Sequence, residues 1–322
     1  MIVLVSLILL FGGVGLLSLF LFKKCSINNI NSIKSKYVVV TGGSSGIGKS
    51  LAKLCVQLGA DVTIIARNEE KLENALKELL QYKSGEFQQI TAVSCDTSNY
   101  PLIKSELEKL EANTGPIYML INCVGAAICG KLEDMSIEDI ESQISMNFFG
   151  IVYPIKAIIS KLKQRKEGII VLTASQAALL GIFGLSIYSG SKFALRGFAE
   201  ALDMEVRPYN ISITVALPPD TDTPGFEKEN IGKPKETALI CETAGLYDPD
   251  VVARAILKDA LKRKFFSFLG FESYLMATLC IGMAPFSSFL EVIIQSLLIG
   301  PIRLISAFYL TKFHCIVKRL AE

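Results

Sequence analysis

The sequence predicts an α/β fold in which a parallel β-sheet is covered by helices on both faces. Apolar, β-branched runs alternate with stretches rich in Lys, Glu, Leu and Ala, which is the pattern of strands that alternate with helices. Strands connected in this way pair in parallel, and both faces of the sheet are buried. The predicted strands are Tyr37–Thr41, Val62–Ala66, Ile90–Cys95, Tyr118–Cys123, Gly168–Thr173 and Ile211–Leu217.

Length and composition favour one catalytic domain with lipid-contacting flanks. The 322 residues are enough for one α/β domain of roughly 250 residues plus accessory segments. A net charge of +2 without a basic tract excludes a nucleic-acid partner. The eight cysteines contain no C-x-x-C pair and there is one histidine, so zinc spacing is absent and reduced thiols are expected. A mean hydropathy of +0.43 is too apolar for a freely soluble enzyme.

The first 22 residues are predicted to be an uncleaved transmembrane anchor. They carry no charge, and at about 1.5 Å per residue they match a hydrocarbon core of about 30 Å. A cleaved signal peptide would place basic residues before its apolar run, whereas Lys23 and Lys24 follow it. Because lysines near a span favour the cytosolic side, the domain that follows is expected to face the cytosol.

The C-terminal end is predicted to be a hydrophobic, membrane-associated hairpin. From Tyr274 to Leu310 only Glu291 and Arg303 interrupt the apolar character, and Pro285 and Pro301 are expected to break the tract into short pieces. An interfacial or re-entrant hairpin and a true span both remain open, as does a helix pair that closes the core or forms a dimer face.

Within the predicted catalytic domain, residues 220–248 contain no clear element and are a candidate lid. The features above divide the whole chain into four segments. The segments are an anchor at 1–22, a basic linker at 23–36, a catalytic domain at 37–271 and a C-terminal hydrophobic segment at 272–322.

A glycine-rich turn predicts a dinucleotide site. The first strand runs into T-G-G-S-S-G-I-G at residues 41–48, before a predicted helix from Lys49 to Leu58. Glycines let the backbone approach a pyrophosphate, and the helix N-terminus presents N–H groups and a partial positive charge to it. The spacing is G-x-x-x-G-x-G instead of the common G-x-G-x-x-G.

The second strand predicts which cofactor is used. About 20 residues beyond the turn, where an NAD-preferring site places a carboxylate, the chain has Arg67. A guanidinium can bind a 2′-phosphate through charge-assisted hydrogen bonds, so NADPH is expected. Lys71 is assigned to the same site. Asp96 after the third strand and the run Asn122-Cys123-Val124-Gly125 at the end of the fourth lie at the sheet edge where ligands of such folds bind.

The residues expected to carry the chemistry come later in the chain. In Tyr188-Ser189-Gly190-Ser191-Lys192 the tyrosine and the lysine share one helix face. The adjacent ammonium is expected to lower the tyrosine pKa from its reference of about 10, which suits a general acid or base. Ser175 follows the fifth strand and can hold a substrate oxygen, and Asn147 lies on the preceding helix. Each alone has a structural explanation, but their order along the chain favours catalysis.

Together these motifs resemble the short-chain dehydrogenase/reductase family over about Tyr37 to Phe271. The resemblance implies a Rossmann-type doubly wound sheet. Thr173-Ala174-Ser175 stands where many members have paired serines, and Pro218-Pro219 where most have Pro-Gly. The segment P-P-D-T-D-T-P-G-F at 218–226 is similar to members that reduce ketosphingoid lipids at the endoplasmic reticulum membrane.

The resemblance assigns roles residue by residue. Tyr188 would donate the proton, Lys192 orient the nicotinamide ribose, Ser175 bond the developing alkoxide, and Asn147 support a proton relay. The catalytic set is therefore Asn147, Ser175, Tyr188 and Lys192. The expected NADPH ligands are Gly42, Ser44, Ser45, Gly46, Ile47, Gly48, Arg67, Lys71, Asp96, Asn122, Tyr188 and Lys192.

The expected partners are a long-chain ketosphingoid substrate and the bilayer, with a homo-oligomer left open. Two other functions stay open at this point. One is reduction of another lipid carbonyl, such as a steroid, a retinoid or a 3-ketoacyl thioester. The other is an inactive membrane scaffold that retains the fold.

Overall fold

The computed structural model describes residues 33–242 and 245–321. The predicted anchor and residues 23–32 of the linker lie outside the described residues.

The sheet has the predicted parallel arrangement. Within the described ranges, seven strands pair in parallel in the order β3-β2-β1-β4-β5-β6-β7. All six predicted strands are present, each to within one residue at either end. The strands are β1 (Tyr37–Thr41), β2 (Asp61–Ala66), β3 (Ile90–Ser94), β4 (Ile117–Asn122), β5 (Gly168–Thr173), β6 (Ile211–Leu217) and β7 (Phe266–Phe268). The short β7 strand was not predicted.

Helices connect the strands and cover both faces of the sheet, which confirms the doubly wound α/β fold. Val39 of β1 belongs to one core cluster with Ile103, Ile158 and Leu195 of the covering helices. Since side chains alternate along a strand, the equally buried Val40 faces the opposite layer. The helices are α1 (Gly46–Gln57), α2 (Glu69–Leu80), α3 (Tyr100–Thr114), α4 (Ile137–Ile144), α5 (Gly150–Arg165), α6 (Ser186–Val206), α7 (Pro224–Glu229), α8 (Lys235–Cys241), α9 (Pro249–Leu261), α10 (Gly270–Leu279) and α11 (Phe289–Ala321). A π-helical turn, Ser145–Phe149, joins α4 to α5.

The C-terminal region differs from the two short pieces expected from its prolines. Helix α10 packs into the core through the buried Ser273 and Ala277, whereas α11 runs unbroken for 33 residues through Pro301. The expectation that Pro301 breaks the tract was wrong. The residue before it is Gly300, which has no Cβ to clash with the proline ring, so the helical conformation is retained there.

Helix α11 is, among the described residues, the one long and apolar enough to cross a membrane, judged by length and composition alone. Its most apolar window has a mean hydropathy of 1.7, and only 17% of that window is buried. Much of the apolar surface of α11 therefore faces away from the protein.

Candidate active site

A cavity of about 1590 Å³ opens at the edge of the sheet where the parallel strands end. Its wall combines the glycine turn after β1, the ends of β2 to β6, and the start of α6. The remaining wall comes from α7 and α8 in the predicted lid and from α10 and α11 at the C-terminus. The cofactor motif thus shares one cavity with Ser175, Tyr188 and Lys192, whereas Asn147 is buried and does not line it.

The glycine turn is shaped by close backbone packing. Gly42 has φ +70°, and a Cβ there would lie 2.6 Å from the carbonyl oxygen of Cys123. A Cβ on Gly48 would lie 2.3 Å from the carbonyl oxygen of Gly42. Ser45 precedes α1 without a capping hydrogen bond from its side chain, so the N–H groups of the first turn are open to the cavity. The turn can therefore accept a phosphate.

Cationic side chains stand at the end of β2. Arg67 and Lys71 both line the cavity. Neither forms an ion pair with another residue in the described part of the chain. Asp96 follows the neighbouring strand β3 and also lines the cavity, and its Oδ1 accepts hydrogen bonds from the Ser98 N–H at 2.9 Å and hydroxyl at 2.7 Å. The unpaired cations can bind a phosphate of the cofactor.

Asn122 is the predicted cofactor residue whose side chain does not reach the cavity. It is fully buried, accepts a hydrogen bond from the Thr41 hydroxyl at 3.4 Å and donates one to the Val171 carbonyl at 3.2 Å. These bonds tie the ends of β1, β4 and β5 together. The cavity wall is instead formed by the next residues, Cys123 to Gly125.

Asn147 and Lys192 meet at Gly125. The Asn147 amide is buried in the π-helical turn, where it accepts from the Ala126 N–H at 3.0 Å and donates to the Ala126 carbonyl at 2.9 Å. A Cβ on Gly125 would lie 2.8 Å from Asn147 Oδ1 and 3.0 Å from Lys192 Nζ. From the sequence Gly125 is only the last residue of the run that follows β4, and no role was assigned to it. Its missing side chain is what lets the two polar groups approach.

Tyr188, Lys192 and Ser175 are brought together as predicted. Lys192 Nζ lies 5.5 Å from the centroid of the Tyr188 ring and donates a hydrogen bond to the Thr173 carbonyl at 3.1 Å. Ser175 begins a short 3-10 turn, and its Oγ accepts from the Ala177 N–H at 3.1 Å. All three side chains line the cavity.

The expected lowering of the Tyr188 pKa is not found, because the net shift of this pKa is upward. Burial raises the pKa of Tyr188, the charge of Glu229 raises it further, a hydrogen bond with Ser175 lowers it, and Asp220 adds a smaller increase. Lys192 lies beside the ring and is not among these causes. Burial also lowers the pKa of Lys192 to about 8. Tyr188 therefore keeps its proton at neutral pH, which is the state a proton donor needs.

Over its described residues, 220–242 and 245–248, the predicted lid is structured, and hydrogen bonds hold its two ends together. It contains α7 and α8, and Thr221 forms an isolated parallel bridge with Tyr247. The Asp222 N–H donates to the Tyr247 carbonyl, and the Tyr247 N–H donates to the Asp220 carbonyl, each at 2.9 Å. The segment between these bonds covers the catalytic side of the cavity.

Comparison with known proteins agrees with this geometry. The family model described as short chain dehydrogenase matches residues 36–233. The chain is 46% identical to 3-ketodihydrosphingosine reductase of Bos taurus, over 89% of this chain and 87% of the relative. It is 44% identical to 3-dehydrosphinganine reductase of Danio rerio over the same shares, and 36% identical to 3-dehydrosphinganine reductase of Arabidopsis thaliana over 86% of this chain and 84% of the relative.

Solved structures show the same fold. An actinorhodin polyketide ketoreductase with NADPH superposes with a TM-score of 0.65 at 23% identity, over 73% of this chain and 95% of that chain. An alcohol dehydrogenase from Thermococcus sibiricus complexed with 5-hydroxy-NADP gives a TM-score of 0.62 at 25% identity over the same shares. With the glycine turn and the Tyr188–Lys192 pair in one cavity, the chain belongs to the short-chain dehydrogenase family.

Proposed function

We propose that this chain reduces the C3 ketone of 3-ketodihydrosphingosine to dihydrosphingosine with NADPH. The observation that carries the proposal is one cavity that joins an open phosphate turn, the Tyr188 and Ser175 hydroxyls, and an apolar wall. The names of the relatives support the choice of this ketone over others.

The residues of the cofactor side fit NADPH. The turn from Gly42 to Gly48 would take the pyrophosphate, because its backbone leaves no room for side chains and presents the N–H groups of α1. Arg67 and Lys71 would bind the 2′-phosphate, since they are cations without ion-pair partners among the described residues. Asp96 also lines this side of the cavity. Asn122 would support the site indirectly, through hydrogen bonds that connect β4 to β1 and β5. The bound NADPH supplies the hydride.

The remaining chemistry belongs to the side chains. Ser175 Oγ donates a hydrogen bond to the ketone oxygen, and the Tyr188 hydroxyl gives its proton to that oxygen as C3 is reduced. Lys192 Nζ donates to the nicotinamide ribose and is held in place through Thr173. The Asn147 amide fixes the backbone at Ala126 beside this lysine and supports the relay that returns a proton to Tyr188.

The apolar wall suits a long alkyl chain. It is formed by α10 and α11, whose cavity-lining apolar residues are Phe271, Leu275, Met276, Leu279, Ile302, Ile305, Tyr309, Leu310 and Phe313. The rest of the α11 surface exposes large apolar side chains, with Leu304 77% and Phe308 73% exposed. A helix that closes the cavity and also presents apolar side chains outward suits an interfacial position on a bilayer, from which the substrate could enter.

We also propose a cellular placement, which the exposed apolar surface of α11 supports. The proposed organisation is the anchor at 1–22, the linker at 23–36, the catalytic domain at 37–271 and the membrane-associated segment at 272–322, in the endoplasmic reticulum membrane with the cavity facing the cytosol. Asn210 in the sequon Asn210-Ile211-Ser212 is exposed, but its Nδ2 donates to the Lys166 carbonyl at 3.2 Å and Ser212 is buried. A sequon added between residues 229 and 235 is therefore needed as a second reporter of orientation, and it is expected to stay unmodified as well. In microsomes Asn210 is expected to carry no glycan, and protease added outside should digest the domain. A glycan, or protection from protease, would overturn the orientation.

The function is tested with purified full-length protein, NADPH and a panel of carbonyls. The panel contains 3-ketodihydrosphingosine, a steroid ketone, a retinoid aldehyde and a 3-ketoacyl thioester. The highest kcat/KM is expected for 3-ketodihydrosphingosine. A higher value for another carbonyl would transfer the function to that substrate, and no turnover of any member would make the chain an inactive scaffold.

A further inference from the structure

Two carboxylates face the cavity on its catalytic side. Asp220 follows β6 directly after Pro218 and Pro219, and Glu229 ends α7. Both side chains are half-buried. The Asp220 carbonyl accepts the Tyr247 N–H at 2.9 Å, so the backbone that carries this carboxylate is tied to the far end of the lid.

The charges around these carboxylates do not balance. Lys233 Nζ lies 3.4 Å from Glu229 Oε1 and also donates to Asn230 Oδ1 at 3.1 Å, outside the cavity lining. The Asp220 carboxylate accepts no hydrogen bond from any residue in the described ranges. Lys228 lines the cavity but is exposed, and it shifts the pKa of neither carboxyl. Two acidic groups therefore share one lysine, which leaves one negative charge without a partner.

This charge lies close to the reacting position. Burial raises the pKa of Asp220, and Lys233 opposes the shift. Burial likewise raises the pKa of Glu229 against the effect of Lys233. After burial, the charges of Glu229 and Asp220 both raise the pKa of Tyr188, so both carboxylates are within electrostatic reach of its hydroxyl. A partly buried carboxylate without a partner is costly, and a cation that enters the cavity would relieve that cost.

We propose that Asp220 and Glu229 bind the ammonium group that the substrate carries next to its ketone. This inference rests on the proposed function, because in 3-ketodihydrosphingosine the amine is on C2 and the reacting ketone on C3. A ketone oxygen held by Tyr188 and Ser175 places that nitrogen one carbon from the reacting atom. Primary amines of this kind are largely protonated near neutral pH. The carboxylates thereby select an aminoketone against neutral ketones such as steroids.

A matched pair of substrates tests the selection. The pair is 3-ketodihydrosphingosine and the same long-chain hydroxyketone without its amine, each assayed with full-length wild type, Asp220→Asn and Glu229→Gln. Wild type should prefer the aminoketone. Each variant should lose roughly 10- to 100-fold in kcat/KM for the aminoketone, as expected for loss of one charge-assisted hydrogen bond, with little change for the neutral ketone. Glu227→Gln, an exposed residue on the same helix, is the matched control and should keep the wild-type preference.

The outcomes separate this inference from the proposed function. The ammonium site would be overturned, and the proposed function left standing, by either of two results. Wild type could reduce the aminoketone without preferring it, or the kcat/KM of the variants could fall equally for both ketones. Wild type that reduces other carbonyls but not the aminoketone would overturn the function itself. The KM for NADPH and the thermal unfolding temperature of each variant show that it is folded, and the wild-type preference tests the site without any substitution.

Discussion

The two halves of the cavity are built in different ways. The cofactor half consists of the turn 42–48 after β1, Arg67 directly after β2, Lys71 in the first turn of α2, and Asp96 shortly after β3. The substrate half consists of Asp220, α7, α8, α10 and α11, which come from the last third of the described chain. In the cofactor half the groups are positioned by neighbouring strand ends and by the first turns of the helices that follow them, whereas in the substrate half their positions depend on how late segments pack over the sheet. One half is therefore set by local sequence and the other by tertiary packing.

The largest effect is expected where the halves meet, at Tyr188. Tyr188→Phe removes the proton donor and keeps the ring, so kcat should fall by at least about 100-fold while the Kd for NADPH is unchanged. Stopped-flow turnover and fluorescence titration of NADPH measure the two quantities. Retention of more than about a tenth of wild-type kcat, a barrier change below about 1.4 kcal/mol, would remove Tyr188 from the chemistry.

Gly125 offers a second test at the place where the two halves of the cavity meet. In Gly125→Ala the new methyl would lie 2.8 Å from Asn147 Oδ1 and 3.0 Å from Lys192 Nζ, so at least one of them must move. Displacing a positioning group by about 1 Å can cost on the order of 100-fold in rate, and a loss of roughly 10- to 100-fold in kcat is expected. Gly190→Ala on α6 is the control, because its Cβ meets nothing within 4 Å. Similar rates for both variants would contradict the proposed contact.

Substitution of Arg67 tests whether the cofactor half can be changed without an effect on substrate binding. Arg67→Ala should raise the KM for NADPH roughly tenfold or more, since a charge-assisted contact is worth about 1.5–3 kcal/mol. The KM for NADH and the KM for the ketone should change little. If the KM values for both nucleotides rise equally, Arg67 does not bind the 2′-phosphate.

The smallest effect expected is a pH dependence that arises at Lys192. Burial lowers the pKa of this lysine to about 8, so it is protonated below that pH and loses its charge as the pH rises through it. Tyr188, whose pKa burial raises, stays protonated over the same range. Turnover should therefore decline severalfold from pH 7 to pH 9.5, and Lys192→Arg, which stays charged, should shift the decline upward. A wild-type rate that is level across this range would contradict the assignment.

Much of the cofactor half could be predicted from sequence. Glycine spacing, Arg67 and Asp96 are read from positions directly after apolar strands, and the strands themselves carry a strong hydrophobic pattern. Asn122 was assigned to the cofactor from its strand position, which does not tell whether a side chain points into the sheet or into the cavity. The tyrosine pKa was misjudged for a related reason, since helix spacing places the ammonium near the ring but says nothing about burial.

The substrate half could not be predicted to the same depth. The lid has no clear periodicity, and its two short helices depend on the bonds between Asp220, Asp222 and Tyr247 that close it. The packing of α10 into the core and the continuity of α11 through Pro301 are likewise tertiary features. Nothing in the sequence distinguishes Asp220 and Glu229 from other acidic residues. Their proposed role depends on the structure, in which both line the same cavity as Tyr188.

The most direct test of the central claim follows the hydride. Full-length protein is supplied with NADPH deuterated at the transferable position of the nicotinamide C4 and with 3-ketodihydrosphingosine, and the product is analysed by mass spectrometry. Wild type is expected to give dihydrosphingosine with one deuterium at C3, and Tyr188→Phe is expected to give almost none. Product without deuterium at C3, or equal labelling by the variant, would contradict reduction of this ketone at the Tyr188 site.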